Sequence, residues 1–207
     1  MFSLTKIFDD SFEYKGHTLH VDMAFDNILR LYEMFQDEYF SNFEKMLIAL
    51  EILIDEYDLI KDISFDEHLE LYKYVMQEFL GEKFEDEVSD SDAPPPKKVM
   101  DFTKDAGLIY ASFMSEYKMD LFELRGQLHW DKFSALLTNL GDKTAFKQVV
   151  SYRVMKVPST KEASEDYRNH VIQMKKIYSL EDDEERAEDL ESKLDAVAST
   201  FKGKKKP

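Results

Sequence analysis

Histidine and carboxylate residues at short spacings are the first place to look for metal chemistry in this 207-residue sequence. His17 and His20 are three residues apart in a segment whose alternating pattern predicts a β-strand, so their side chains should point to opposite faces. Asp66, Glu67 and His68 are consecutive and would be spread around a helix. The sequence has no cysteine and no H-E-x-x-H pattern, the usual sources of zinc ligands. We therefore predict no metal site.

Nucleophilic and cofactor chemistry is equally poorly supported. A catalytic serine or cysteine needs a neighbouring base, but there is no cysteine and no G-x-S-x-G turn. His129 precedes the only tryptophan, Trp130, between two predicted helical segments, where a structural histidine is expected rather than a general base. The glycines form no phosphate-binding loop, and residues 86–92 lack the glycine and late glutamate of a calcium loop. We predict that the protein is not an enzyme and has no catalytic residues and no cofactor.

Charge is distributed unevenly along the chain. The net charge is −16, and residues 1–92 contain 24 acidic and 7 basic residues, whereas residues 97–158 contain 7 acidic and 10 basic residues. The acidic half should repel nucleic acid and anionic lipid, so we predict neither as a partner. A basic protein remains a candidate partner, because the acidic surface would attract it. The basic end, residues 202–207, is interpreted as a solubilising tail rather than a nucleic-acid contact.

No segment resembles a membrane span or a signal peptide. The longest apolar run, residues 46–54, is interrupted by Glu51 and is far shorter than the roughly 20 residues that a span requires. The N-terminus has no apolar stretch after a basic start, so we expect no signal peptide. Together with the lack of cysteine, this is compatible with the cytoplasm.

The first half of the chain predicts a β-hairpin followed by three helices. Residues 12–22 alternate around Lys15-Gly16, which suggests a hairpin turn. Apolar residues at helical spacing follow, with Asp22 as the predicted N-cap of the first helix and Ser41 as that of the second. Phe43 is predicted to lie on the apolar face of this second helix. A third helix should begin near Ser64 or Asp66 and end at Gly81.

The second half predicts further helices beyond an acidic, proline-rich linker at residues 83–98. We expect a helix over residues 101–116, a break at Lys118-Met119, a segment capped by Asp120, a helix ending at Gly141, one over residues 146–155, and one opened by Ser159. The predicted fold is mostly α, with about seven helices in two packed sub-bundles and one short N-terminal β-hairpin. The predicted divisions are an acidic lobe at 1–82, the linker at 83–98, an aromatic-rich core lobe at 99–158, and C-terminal helices with a frayed basic tail at 159–207.

Four segments between residues 105 and 158 occur in the order typical of one protein family. Residues 105–113 match D-A-x-x-I-Y-A-S-F, and residues 117–121 match Y-G-I-D-L with Lys118 at the glycine position. Residues 128–137 match L-H-W-W-x-F-x-A-L-L with Asp131 at the second tryptophan position. Residues 153–158 match the closing I-R-x-M-x-I-P element from its arginine onward. The chain thus resembles the tail assembly chaperones of long-tailed, siphovirus-type phages and prophages of Gram-positive bacteria.

The resemblance implies a non-enzymatic protein that acts in the cytoplasm of the bacterial host. It would bind the long tape measure protein and keep it soluble during tail assembly, with tail tube subunits and homo-oligomerisation left open as further contacts. The partner-binding face is predicted at Tyr110, Phe113, Tyr117, Trp130 and Phe133; the alternative is that these residues form the core. Two other functions stay open: a structural tail connector or completion protein retained in the virion, and an acidic module that binds a basic partner.

Overall fold

A computed structural model of the protein describes residues 4–5, 7–82 and 98–180. The predicted linker, apart from Lys98, and the predicted basic tail lie outside these residues. The described elements are β1 (Ser11–Tyr14), β2 (His17–His20), α1 (Phe25–Gln36), α2 (Asn42–Leu53), a short 3-10 helix (Tyr57–Leu59), α3 (Phe65–Leu80), α4 (Ala106–Tyr117), α5 (Trp130–Thr138), α6 (Ala145–Val154) and α7 (Glu165–Ile177). The predicted mostly-α fold with seven helices and one N-terminal hairpin is confirmed.

The hairpin turn forms at the predicted dipeptide. Lys15 and Gly16 both have positive φ angles, 48° and 82°, as a tight two-residue turn between antiparallel strands requires. The hairpin packs on α3, because the Phe12 ring contacts the rings of Tyr74 and Phe79. A two-stranded sheet is marginal alone, so this contact with a helix is what holds it in place.

Two of the predicted helix starts are confirmed in detail. The hydroxyls of Ser41 and Ser64 each accept a hydrogen bond from the backbone N–H three residues on, and the glutamates there return a bond to the serine backbone. These are complete capping boxes. The predicted end of α3 is also confirmed, since Gly81 takes the left-handed conformation with φ 70°.

Other predicted boundaries are wrong, because short polar turns form where helix starts were expected. Ala24, not Asp22, is the N-cap of α1. The Asp22 carboxylate instead accepts a bond from the N–H of Ala24. Asp101 does not lie in α4, because its carboxylate accepts bonds from the N–H groups of residues 103 and 104 and closes a separate turn.

Asp120 and Ser159 also form short polar turns. Asp120 caps a non-helical turn by accepting from the N–H of Phe122. Ser159 begins a single turn that is not continued, because Ser164 adopts an extended backbone conformation and itself caps α7. In each case the polar residue closes a turn at the predicted position, and the next helix begins further along the chain.

Two hydrophobic clusters form the interior. The N-terminal cluster joins the hairpin to α1, α2 and α3, and its fully buried members include Leu19, Ile28, Leu31, Leu50, Leu53 and Val75. The C-terminal cluster joins α4, α5 and α6, with Ile109, Phe113, Phe133, Leu137, Phe146 and, from α1, Phe25. Trp130 packs against both clusters. The two sub-bundles therefore share helix α1 and one tryptophan.

Candidate functional site

The two histidines of the hairpin, considered as metal ligands, have ordinary structural surroundings. His17 and His20 are both exposed, and His20 bonds to Glu56, whose hydrogen bond and negative charge raise the pKa of the imidazole. Within residues 4–5, 7–82 and 98–180, no group of three or more histidine, aspartate or glutamate side chains is arranged to hold a metal ion. The same residues include no helix with the length and hydropathy of a membrane span.

His129 holds the start of α5. Its Nδ1 accepts a hydrogen bond from the backbone N–H of Asp131, which makes it the N-cap of the helix. Its Nε2 lies 3.3 Å from a carboxylate oxygen of Asp10, and its ring stacks on Phe8 with centroids 3.9 Å apart. These contacts occupy both ring nitrogens and one ring face, as the structural interpretation of this histidine requires.

The five residues predicted to bind a partner divide into two groups. Phe113 and Phe133 have 0% solvent exposure and belong to the core of the C-terminal cluster, so neither is available to a partner in this conformation. Tyr110, Tyr117 and Trp130 are half-buried and pack on the same cluster. The aromatic face thus serves packing first, and only its outer members can be reached from solvent.

Phe133 is the centre of an aromatic stack. Its ring lies 4.9 Å from that of Phe25, 5.2 Å from that of Phe113 and 5.6 Å from that of Trp130, all between nearly parallel planes. Offset stacking of this kind adds about 0.5–1.5 kcal/mol per pair beyond the burial of area. The stack joins α1, α4 and α5 at one point.

Two polar contacts join the first of the four family-like segments to α6, whose last turn begins the fourth segment. Arg153 donates two hydrogen bonds to the carboxylate of Asp105, at 2.6 and 2.7 Å, and this pair is almost completely buried. The hydroxyl of Ser112, also buried, accepts a bond from the N–H of Phe146 in the first turn of α6. Residues 105–113 therefore hold both ends of α6.

The two middle segments also meet each other. The Tyr117 hydroxyl donates to the carbonyl oxygen of Leu136 at 3.0 Å. Lys118, at the position where the family pattern has glycine, adopts the left-handed conformation with φ 57°. Asp131 stands in the first turn of α5, where a negative charge interacts favourably with the helix dipole. The recognisable residues are thus mutual contacts of a single folded unit.

An apolar groove that the sequence did not reveal lies on the N-terminal half of the molecule. It has a volume of about 380 Å³ and is lined mainly by Phe35, Phe43, Met46, Phe65, Leu69 and Tyr72, with Asn42 and Lys45 as the polar lining residues. Phe43, predicted to lie on the apolar face of α2, is 50% exposed, and Phe65 is 54% exposed. Their rings contact each other with centroids 5.5 Å apart.

A sequence signal for this groove does exist. Phe65 continues the apolar spacing of α3 through Leu69 and Tyr72 by one turn toward the N-terminus, and Phe43 lies three residues before Met46 in α2. Each apolar face thus begins inside a capping box, in the first turn of its helix.

Another exposed aromatic residue, Phe122, lies on the C-terminal half. Phe122 is 60% exposed, its ring contacts that of Tyr110 edge-on at 5.3 Å, and the guanidinium of Arg125 lies 4.7 Å from its ring centroid. This arrangement is a cation–π contact on the surface. It places one of the predicted partner-binding residues, Tyr110, beside an apolar side chain that is reachable from solvent.

Fold and surface together define a mostly helical protein with exposed aromatic side chains, among them Phe43, Phe65 and Phe122. Comparison with protein families then gives a specific assignment: the family model described as Bacteriophage Gp15 protein matches residues 5–180. Since the match covers most of the 207 residues, the chain belongs to this bacteriophage protein family. No curated protein and no solved structure gave a match.

The family match confirms the predicted phage origin. It extends well beyond residues 105–158, on which the predicted resemblance depended most, and includes the hairpin and α1 to α3. The acidic, proline-containing segment at 83–98, which had no counterpart in the resemblance, also lies within the matched range.

Proposed function

We propose that this protein is a non-enzymatic tail assembly chaperone, which binds the tape measure protein in the bacterial cytoplasm and keeps it soluble until the tail tube forms. The observation on which this depends is the ordered set of segments from residue 105 to residue 158, in a chain that belongs to a bacteriophage protein family. Tail tube subunits are a second client to be tested in the same way.

Surface properties support this proposal. A chaperone for a long apolar client needs exposed apolar side chains and must itself remain dissolved. The groove at Phe43 and Phe65 and the exposed ring of Phe122 supply the first property. A net charge of −16 supplies the second, since a charge far from zero opposes self-association.

Co-expression provides the direct test. The long helical reading frame of the same phage gene cluster would be expressed alone, with this protein, and with an unrelated acidic helical protein of similar size. We expect the tape measure product to move from the insoluble to the soluble fraction only with this protein, and the two chains to purify together. Absence of both rescue and co-purification would refute the proposed function.

Purified virions separate a chaperone from a structural component. A chaperone leaves the particle, so mass spectrometry of purified virions should detect the tube and tape measure proteins but not this chain. Its presence at a fixed ratio to the tube protein would instead identify a connector or completion protein.

A further inference from the structure

The groove between α2 and α3 has the size and composition of a helix-binding site. Its volume of about 380 Å³ is more than twice that of the ~150 Å³ cavity known to accept one benzene molecule, so it can receive about two apolar side chains. The walls are the helix faces at Phe43 and Met46 on one side and at Phe65 and Leu69 on the other. Hydrophobic grooves of this kind bind amphipathic helices, which lay their apolar face into the groove.

The elements that form this groove are strongly acidic. Residues 25–53 and 65–82 contain eleven acidic and three basic residues, a net charge of −8. The helix starts beside the groove are closed by the capping boxes of Ser41 and Ser64, in which the backbone N–H of Glu44 or Glu67 donates to the serine hydroxyl. Each box adds a carboxylate at that end, from Glu44 and Glu67.

One basic side chain lines the groove, and its charge is already engaged. The ammonium of Lys45 donates to the carbonyl oxygen of Phe35 at 2.7 Å, near the C-terminal end of α1. A cation in this position compensates the negative end of the helix dipole. Burial, and after it the negative charge of Glu82, raise the pKa of the hydroxyl of Tyr72, another residue that lines the groove.

We propose that this groove binds an amphipathic helix of the client whose apolar face is flanked by lysine and arginine residues. If the tape measure protein is the client, as proposed above, the groove selects the basic segments of that chain. Apolar residues one turn apart would fill the space between the rings of Phe43 and Phe65. The basic flanks would lie against the acidic faces of α1 and α3, and an acidic amphipathic helix would be repelled.

Peptide binding to the full-length protein tests this inference. Overlapping 20-residue peptides that cover the tape measure product, each labelled with a fluorophore, would be measured by fluorescence anisotropy. We expect the peptides that bind to be amphipathic and net positive, and to lose at least tenfold in affinity when their lysines and arginines are replaced by glutamate. Affinity should also fall between 50 and 300 mM salt, because screening weakens surface electrostatics.

Matched variants locate the site. Phe65→Ser and, separately, Phe43→Ser should each reduce peptide affinity at least tenfold, whereas Tyr167→Ser, which removes a similarly exposed aromatic residue from α7 in the other half of the molecule, should leave it unchanged. Circular dichroism would verify the fold of each variant. A photo-crosslinking peptide used with the wild-type protein gives an independent readout, with attachment expected at α2 and α3.

The outcomes separate this inference from the proposed function. Co-purification of the tape measure product with the wild-type chain and equally well with both groove variants would overturn the groove assignment and leave the chaperone function intact. Binding of basic peptides without any rescue of the tape measure product would overturn the chaperone function and leave the groove assignment intact. Preference for acidic peptides, crosslinks outside α2 and α3, or occupation of the groove by a second copy of this chain would also overturn the inference.

Discussion

Asp105 and Arg153 are 48 residues apart in the sequence and form a bidentate ion pair in the interior of the C-terminal half. The pair links the residue before α4 to the last turn of α6. Arg153 also donates to the carbonyl oxygens of Val99 and Tyr178, which brings the segment before α4 and the end of α7 to the same guanidinium. A single side chain therefore holds together three parts of the chain: the segment before α4, the last turn of α6 and the end of α7.

Breaking this pair should be costly. Asp105→Ala leaves a buried guanidinium without its carboxylate, so we expect a loss of about 3–5 kcal/mol in the free energy of unfolding, measured by urea denaturation. The double variant Asp105→Leu with Arg153→Met should recover part of this loss, because no buried charge remains. It should not recover all of it, since the carbonyls of Val99 and Tyr178 lose their donor. Equal stabilities of the wild type and Asp105→Ala would contradict the assignment.

Replacing Lys118 by glycine should stabilise the protein. A left-handed conformation costs a non-glycine residue about 1–2 kcal/mol, and Lys118 adopts it at the end of α4. The exposed bond from its ammonium to the Ser115 carbonyl offsets only a small part of this cost. We expect Lys118→Gly to raise the melting temperature by roughly 2–4 °C. Lys118→Ala, which keeps the strain, serves as the control and should give no such increase.

Acid should weaken the contact between the hairpin and α3. The ammonium of Lys15 and the backbone N–H and hydroxyl of Ser64 bond to Glu67 and lower its pKa from 4.5 to about 2. The ionised carboxylate therefore stabilises the fold above pH 4.5, and this contribution is lost as the pH falls from 4.5 toward 2. The difference in melting temperature between the wild type and Glu67→Gln should be largest near pH 6 and disappear toward pH 2.

A second variant separates the causes of this shift. Lys15→Met removes the ion pair but keeps the capping box of Ser64. The stability contributed by the Glu67 carboxylate should therefore still be lost in acid, but at a higher pH than in the wild type. A difference between wild type and Glu67→Gln that does not change with pH would show that the carboxylate acts only through packing.

Turns and helix ends could be predicted from the sequence where a single residue determines the local backbone conformation. The turn at Lys15-Gly16, the capping boxes of Ser41 and Ser64, and the end of α3 at Gly81 depend on groups within three residues of each other, so they could be predicted. Ser159 has the same spacing to Glu162 as a capping box, yet it begins only a single turn. The helix begins after Ser164 instead, so local spacing alone does not decide which of two nearby serines caps it.

The candidate surfaces were less predictable for a related reason. Helical spacing shows that a residue belongs to an apolar face but not whether another element covers that face. Phe113 and Phe133, predicted either as partner contacts or as core, are fully buried, whereas Phe43, predicted to lie on the apolar face of α2, is half exposed. The polar partners within the family-like segments, such as Asp105 with Arg153, also could not be inferred, because nothing in the sequence pairs residues so far apart.

Trp130 should couple the two halves of the molecule. Its ring contacts Tyr32 of α1 at 5.8 Å, Phe102 at 5.9 Å and Phe133 at 5.6 Å, and its backbone N–H donates to the carbonyl of Met23. We expect Trp130→Ala to cost roughly 3 kcal/mol, because it removes a large side chain shared by both hydrophobic clusters. Trp130→Phe, which retains an aromatic ring, should cost less.

Hydrogen exchange would show whether the loss reaches both clusters. If Trp130 joins them, Trp130→Ala should reduce amide protection in α2 and α3 as well as in α4 and α6, since the most protected amides exchange through global unfolding. Reduced protection confined to α4 to α6 would mean that the halves unfold separately. Unchanged stability together with weaker binding of the tape measure product would instead identify Trp130 as a surface anchor, and the half-buried ring would then belong to the partner interface rather than to the core.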